Sequence, residues 1–258
     1  NVTFWDINGT TQITNISVAA GDNESFIVRV EIPGNALEGT YDIATISAIS
    51  RGNSSVYDNA TIKTWVPITP PWFDDMEGNT CWITTGFWHI VEDGVSPYPN
   101  SYSPTHSWWY GQDATGNYDN GAQNDGWLIS PPIDLRGVGT HIILSFYEWY
   151  ETEGGYPNFD QRWIYIDNGS GFQPLQQLDE SAMSTWQYRE LKLSSYDGQI
   201  IRVAFYFDTI DDILNNYRGW YIDDVYVGLP PQYRMELAPN YQQNYGTPGG
   251  FVNYTLIV

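Results

Sequence analysis

The chain has 258 residues, of which 31 are Asp or Glu and 10 are Lys or Arg, for a formal net charge of −21. Nucleic acids and anionic membranes both require a basic surface, so this composition argues against either as a partner. One cysteine, Cys81, excludes an internal disulfide framework, and we expect no insertion into a membrane because long apolar runs are missing.

Residues 1–66 predict a partial antiparallel β-sandwich. Strand patterns bounded by turn residues occur in ITNISVA, SFIVRVEI, YDIATISAIS and NATIKTWV. Alternation in FIVRVEI and ATISAIS turns one face of each strand inward. Residues 67–71, PITPP, then predict a stiff linker, because proline cannot continue a central strand.

Residues 72–229 predict longer strands that are richer in aromatic residues. Eight or more antiparallel strands in this length are typical of a jelly-roll sandwich, so the whole chain is predicted to be all-β. After LPPQY, residues 230–258 predict two further strands, YRMELAP and GFVNYTLIV, around the turn YGTPGG. The last strand alternates up to Val258 without a polar cap.

These motifs carry a family resemblance. The run WITTGFW, then SWWYGQ, DGWLISPPIDL, LSFYEWYETEGGYPNFD and GWYIDDVYV resembles the MAM-like jelly roll of immune-inhibitor-A-type secreted metallopeptidases. The segments AAGDNESFIVRVEIP and GTYDIATISAIS resemble the second half of an Ig-like module found in surface proteins and beside carbohydrate-binding domains. Residues 230–258 are similar to the first half of that module, so the two ends form complementary halves.

The resemblance implies a Ca²⁺ site where the first and last strands of the jelly roll meet. Its ligands would be Asp75 and Glu77, with Asp223 or Asp224. Ca²⁺ takes six to eight oxygen ligands, and alternation lets only one of Asp223 and Asp224 face inward. A second oxygen-rich segment, GQDATGNYDNGAQND, is a further source of ligands through Asp113, Asp119 and Asp125. The alternative is that these acids are solvated turn residues.

No motif predicts catalysis, so we expect a non-enzyme. Paired carboxylates could act as acid and base, but the candidates lie where a strand runs into a loop: Glu148, Glu151 and Glu153. The histidines lack the spacing of a zinc site: His89, His106 and His141.

Carbohydrate is suggested in two ways. Trp108, Trp109 and Trp149 could stack on sugars, although successive strand residues point to opposite faces and aromatic runs in sandwiches also form cores. A cluster of Asn-x-Ser/Thr sequons favours a glycosylated extracellular or cell-surface protein over accidental matches; the sequons are Asn1, Asn8, Asn15, Asn23, Asn53, Asn59, Asn168 and Asn253.

The complementary halves lead to the main functional hypothesis, a structural protein that joins copies of itself head to tail. The tail strand of one copy would complete the head sandwich of the next, through Phe251, Val252, Tyr254, Leu256 and Val258. Such a contact does not close on itself and builds a filament, unless the chain is one period of a longer repeat.

The alternative function is an accessory carbohydrate- or protein-binding region of a secreted peptidase or glycosidase. We expect the sequence to be a mature product or an excised segment, because no signal peptide precedes it.

Overall fold

The computed structural model describes residues 1–78, 81–95 and 98–231. Within these ranges the chain forms strands, with one 3₁₀ turn at Ser194–Tyr196. The predicted all-β class with antiparallel sheets is therefore confirmed. None of the helical structure in these ranges is long and apolar enough to cross a membrane. The predicted donor residues, Phe251 to Val258, lie outside the described residues.

The head consists of two separate antiparallel pairs. Strand β1 (Val2–Trp5) pairs with β2 (Ile27–Val30), and β3 (Tyr41–Ile49) pairs with β4 (Tyr57–Trp65). No hydrophobic side chain in residues 1–66 is fully buried. The head therefore has no closed core of its own, and the partial sandwich stays a prediction.

The jelly roll supplies the remaining strands. They are β5 (Trp72–Asp74), β6 (Ile83–Thr84), β7 (Trp88–Glu92), β8 (His106–Tyr110), β9 (Asp125–Ile129), β10 (Ile133–Asp134), β11 (Ile143–Glu151), β12 (Gln161–Asp167), β13 (Phe172–Gln177), β14 (Gln187–Lys192), β15 (Ile200–Asp208) and β16 (Gly219–Gly228). The first sheet has the order β13-β12-β15-β9-β6, with β10 beside β15. The second has the order β14-β11-β16-β8-β7, with β5 beside β16. The first and last strands of the jelly roll thus meet, as the resemblance implied.

Aromatic side chains fill the space between the two sheets. Trp220 lies 5.4 Å from Trp88 and 5.8 Å from Phe205, measured between ring centroids. Both sheets contribute, since Phe205 comes from β15 and the two tryptophans from β7 and β16. Burial of rings of this size is the main stabilising contribution to the core.

The proline segment 67–71 is attached to the jelly roll. Ile68 forms a parallel bridge with Ile133, in which the Ile68 N–H donates to the Pro132 carbonyl and the Asp134 N–H donates to the Ile68 carbonyl, each over 2.8 Å. Thr69 is held by Glu38 of the head, which accepts from the Thr69 N–H over 3.0 Å. The predicted linker is therefore held at Ile68 and Thr69, while the domain boundaries at 66, 72 and 229 stay predictions.

Candidate functional site

The outer face of the first sheet carries a group of rings, here called the aromatic face: Trp127, Trp163, Tyr165, Phe172 and Tyr206. Side chains along β12 alternate between half-buried and buried, so Trp163 and Tyr165 point away from the core. The register places Trp163, Tyr206 and Trp127 in one row across β12, β15 and β9. Every member keeps part of its surface in solvent.

The rings of the aromatic face hold one another in place. The Trp127 ring centroid lies 4.2 Å from that of Tyr206, 5.0 Å from Tyr165 and 5.1 Å from Phe172. Trp163 joins the group through Tyr165, at 6.0 Å. Aromatic pairs at these separations attract each other, so the rings form a pre-ordered surface.

Polar groups stand at both ends of this surface. At one end Asp208 accepts hydrogen bonds from the Tyr206 hydroxyl and from the Gln123 amide, each over 3.2 Å. Burial, and secondarily the nearby Asp208 carboxylate, raise the pKa of Tyr206, so the hydroxyl stays a donor. At the other end the Arg202 guanidinium lies 5.0 Å from the Trp65 ring of the head. Rings flanked by a few polar groups are the usual make-up of a site for a neutral, polar ligand.

The outer face of the second sheet is covered by residues 98–105. The Tyr98 ring packs 4.9 Å from that of Trp109, and the Tyr102 ring stacks 3.3 Å above Tyr147 of β11. Beneath this segment, Trp109 stacks on Tyr221 at 5.7 Å in a small apolar cluster of its own. The two outer faces therefore differ, because residues 98–105 pack over the rings of the second sheet.

This cover corrects the predicted sugar-stacking residues. Trp108, Trp109 and Trp149 are only 7%, 0% and 4% exposed. Trp108 lies in the core between the sheets, and the other two lie in the cluster beneath residues 98–105. A buried ring offers no face to a sugar, so these three tryptophans cannot stack on one. Sequence reasoning missed the aromatic face, although alternation in RWIYID would have placed Trp163 and Tyr165 on one side of a strand.

Four of the predicted calcium ligands lie near the pairing of β5 with β16. Asp223 is fully buried and accepts from the N–H groups of Tyr102 (2.8 Å), Ser103 (3.0 Å) and Asp224 (2.7 Å). Burial raises the pKa of Asp223 to about 7. Asp224 is half-buried, and Ser103 donates to it over 2.8 Å. Burial also raises the pKa of Asp224, and the charges of Asp75 and Glu77 add to the shift.

Glu77 is the most heavily hydrogen-bonded of these acids. It accepts from the backbone and side chains of Thr105 and His106, with 2.9 Å between its Oε2 and the His106 Nδ1. The hydrogen bond that His106 donates to Glu77 raises the pKa of His106. Within the described residues, no three His, Cys, Asp or Glu side chains are arranged to hold a metal ion. Carboxylate oxygens are suitable ligands for Ca²⁺, but these side chains are not arranged around one point. Calcium at the β5–β16 pairing therefore stays a prediction.

The fifth predicted ligand, Asp113, has other neighbours. Its Oδ1 lies 3.0 Å from the His89 Nε2 and accepts from the Tyr98 hydroxyl over 2.5 Å. The hydrogen bond from Tyr98 is the main cause of a lowered Asp113 pKa, while burial and Asp113 raise the pKa of Tyr98 to about 12. Asp113 thus fixes the segment that covers the second sheet.

Two of the three carboxylates considered for acid and base roles, Glu148 and Glu151, hold arginines instead. Glu148 is fully buried, and its Oε2 lies 2.5 Å from the Arg162 Nη1. Glu151 accepts from the Arg218 Nε over 2.7 Å, and that hydrogen bond lowers the Glu151 pKa. Both arrangements fix charge in place and stabilise the fold. They favour a structural role over proton transfer.

The sequon residues within the described ranges share one property, which is exposure: Asn1, Asn8, Asn15, Asn23, Asn53, Asn59 and Asn168. All are sterically open to modification, which is a requirement for glycosylation. Asn253 lies outside the described residues. Glycosylation itself stays a prediction.

The head carries an apolar groove between its two strand pairs. Its open volume is about 760 Å³, and its lining includes Phe4, Ile16, Val18, Phe26, Ile49 and Val56. Val18, Ile49 and Val56 are 52%, 62% and 59% exposed. Apolar side chains this exposed on a sandwich face normally have a covering layer.

The chain can be compared with known proteins. No protein-family profile matches it. Bacillopeptidase F of Bacillus subtilis (strain 168) is 31% identical over 217 residues, which cover 77% of this chain and 14% of that protein. The chain thus spans a small part of the length of that relative. Among solved structures, a TmCBM61 structure in complex with β-1,4-galactotriose covers 58% of this chain and 88% of its own, at 14% identity and a TM-score of 0.39. The xylan-binding domain from CBM 22 covers 61% and 93%, at 15% identity and a TM-score of 0.38.

Proposed function

We propose that this chain is a non-catalytic, extracellular binding region of a larger secreted protein, and that it binds neutral carbohydrate through the aromatic face. The observation that carries the proposal is the row of partly exposed rings, Trp163, Tyr206 and Trp127, on the outer face of the first sheet. The similarity to bacillopeptidase F supports a place beside a secreted peptidase. The predicted alternative function, an accessory region, is thereby favoured over a filament.

The shape and charge of the aromatic face suit an extended neutral ligand. Neighbouring strands lie about 4.8 Å apart, so the row of three rings spans roughly 10 Å across the strands. A net charge of −21 disfavours anionic ligands. Arg202 and Asp208, which lie on β15 on either side of Tyr206 along the strand, provide donors and acceptors for hydroxyl groups.

Affinity electrophoresis of the full chain through gels containing neutral polysaccharides tests the proposal. We expect Trp127→Ala and Tyr206→Ala each to weaken binding about ten-fold or more, because each removes a stacking ring. The matched control is Phe73→Ala, which removes a 56% exposed ring from β5 of the other sheet and should leave binding unchanged. Retardation that is absent for the wild type, or unchanged in both ring variants, would overturn the proposal.

As a second candidate function we propose head-to-tail assembly, in which the apolar groove of the head is the binding site. The groove is lined by exposed apolar side chains, and residues 1–66 have no closed core of their own. The predicted donor strand, Phe251 to Val258, alternates apolar and polar residues and has the pattern that such a groove accepts. The proposed partner is therefore a second copy of this chain.

Deleting residues 250–258 tests the assembly. We expect the full chain to form filaments or oligomers, seen by electron microscopy and light scattering, and the deletion variant to stay monomeric. A synthetic 250–258 peptide should bind the deletion variant, whereas the Leu256→Asp peptide should not, because a charge would enter the groove. A monomeric full chain, or equal binding of the two peptides, contradicts assembly between copies.

A further inference from the structure

The alternation of buried and half-buried residues along β15 breaks at Ala204. The core between the sheets receives three side chains of this strand: Val203, Phe205 and Phe207. Because neighbouring strand residues point to opposite faces, the side chains of Ala204 and Tyr206 point to the outer face. Tyr206 keeps part of its surface in solvent there, whereas Ala204 is fully buried. A group on the outer face therefore covers Ala204.

Two rings of the aromatic face meet above Ala204. Trp127 comes from β9 and Tyr165 from β12, and β15 lies between those two strands. The backbones of β9 and β12 are two strand spacings apart, about 10 Å, yet the two ring centroids are only 5.0 Å apart. The rings can approach each other that closely only above the strand between them. Ala204 is the β15 residue in register with Tyr165, so it lies beneath the contact.

The small side chain of Ala204 leaves room for these rings. Alanine is depleted in strands relative to β-branched and aromatic residues, so its place in the middle of β15 has no explanation in strand propensity. A longer side chain would project into the space where the rings meet, and a well-packed site takes up added methylene groups only by displacing its neighbours. Trp127 also contacts Tyr206 at 4.2 Å and Phe172 at 5.1 Å. A shift of its ring would therefore disturb the whole aromatic face.

We infer that Ala204 is the positioning residue of the aromatic face, because it seats the ring of Trp127 across β15. This inference rests on the proposed carbohydrate-binding function. Ala204 is closed off from solvent, so no sugar enters between Trp127 and Tyr165 to reach the strand. The ligand has to lie on top of the rings, and the position of Trp127 above the sheet therefore determines its affinity.

Affinity electrophoresis of the full chain in neutral polysaccharide, run beside thermal melts, tests this role. We expect Ala204→Leu to weaken binding about ten-fold or more, as Trp127→Ala does, because the displaced ring no longer stacks on the sugar. Ala204→Ser keeps a small side chain and should bind like the wild type. The matched control is Ala60→Leu, the same substitution at an exposed residue of β4 in the head, which should leave binding unchanged.

A double-mutant cycle separates positioning from a general loss of stability. In the Trp127→Ala background the ring that Ala204 seats is absent, so adding Ala204→Leu should weaken binding no further. Ala204→Val makes the same test with a smaller increase in size, in case the larger substitution prevents folding.

Two results would overturn the inference and leave the proposed function intact. One is full-affinity binding by folded Ala204→Leu and Ala204→Val variants. The other is an additive loss in the double variant, since Ala204 would then act independently of Trp127. A wild type that binds no neutral polysaccharide refutes the proposed function itself, and the inference falls with it.

Discussion

Replacing Glu148 by glutamine should destabilise the chain by about 3–5 kcal/mol, the usual cost of breaking a buried ion pair from one side. The Glu148 Oε2 accepts from the Arg162 Nη1 over 2.5 Å and from the Trp220 indole over 2.8 Å. Its Oε1 accepts from the Arg189 Nε over 2.6 Å. A glutamine amide has one oxygen, so its nitrogen would face a donor whichever way it turned.

The cost falls mainly on Arg162. Arg189 keeps the Asp179 carboxylate at 2.9 Å, whereas Arg162 is 2% exposed and keeps only a carbonyl and the Tyr150 ring, 3.4 Å from its guanidinium carbon. At this chain length each kcal/mol lowers the melting temperature by about 2–4 °C. We therefore expect the melting temperature to fall by about 10 °C.

Urea unfolding followed by circular dichroism measures this loss. The control is Glu151→Gln, whose partner Arg218 is 37% exposed in its side chain, so the loss there should stay below about 1 kcal/mol. The double variant Glu148→Leu, Arg162→Met should recover much of the stability, because it buries no unpaired charge. A Glu148→Gln loss no larger than that of the control would refute the reasoning.

Two further predictions concern stability. Burial raises the pKa of Asp223 to about 7, so the folded state favours the protonated carboxyl group. The stabilisation from that proton is complete below about pH 4, the pKa of an unfolded Asp, and is lost as the pH rises to about 7. In chelator the unfolding free energy should fall across that window, and Asp223→Asn should flatten the profile; an unchanged profile would contradict it. Gly219→Ala should destabilise the fold by more than about 1 kcal/mol, because the φ of Gly219 is +90° and an added Cβ would lie 2.1 Å from the Tyr110 carbonyl oxygen. The control is Gly169→Ala, where φ is +94° but nothing lies near the added Cβ. The difference between the two variants measures the steric clash separately from the backbone strain. Equal melting temperatures for the two variants would refute the steric part.

The sequence predicted what alternation and turn residues determine locally. The strand pattern in residues 72–229 predicted the antiparallel sandwich, but regular alternation did not hold at Asp223 and Asp224, because Asp224 has a φ of +50° and the pairing of β16 with β11 is irregular there. The sequence did not reveal that residues 98–105 fold over the second sheet, where Tyr98 packs on Trp109 and Tyr102 stacks on Tyr147, because no local pattern specifies those contacts. An outward-pointing ring is exposed only if no distant segment covers it.

The aromatic face required strand register. Tyr206 and Trp127 become neighbours through the pairing of β15 with β9, which no local pattern specifies. Composition alone indicated an acidic, aromatic-rich protein and could not say which acids or rings would meet.

The bridge between Ile68 and Ile133 has a mechanical consequence. A proline segment without contacts would act as a slack tether, and the head could move under load without disturbing the jelly roll. Here the Ile68 backbone is hydrogen-bonded on both sides to Pro132 and Asp134, next to the buried Ile133. A pull on the head would therefore be transmitted to the jelly roll through those two hydrogen bonds, and the head could not move independently until they break.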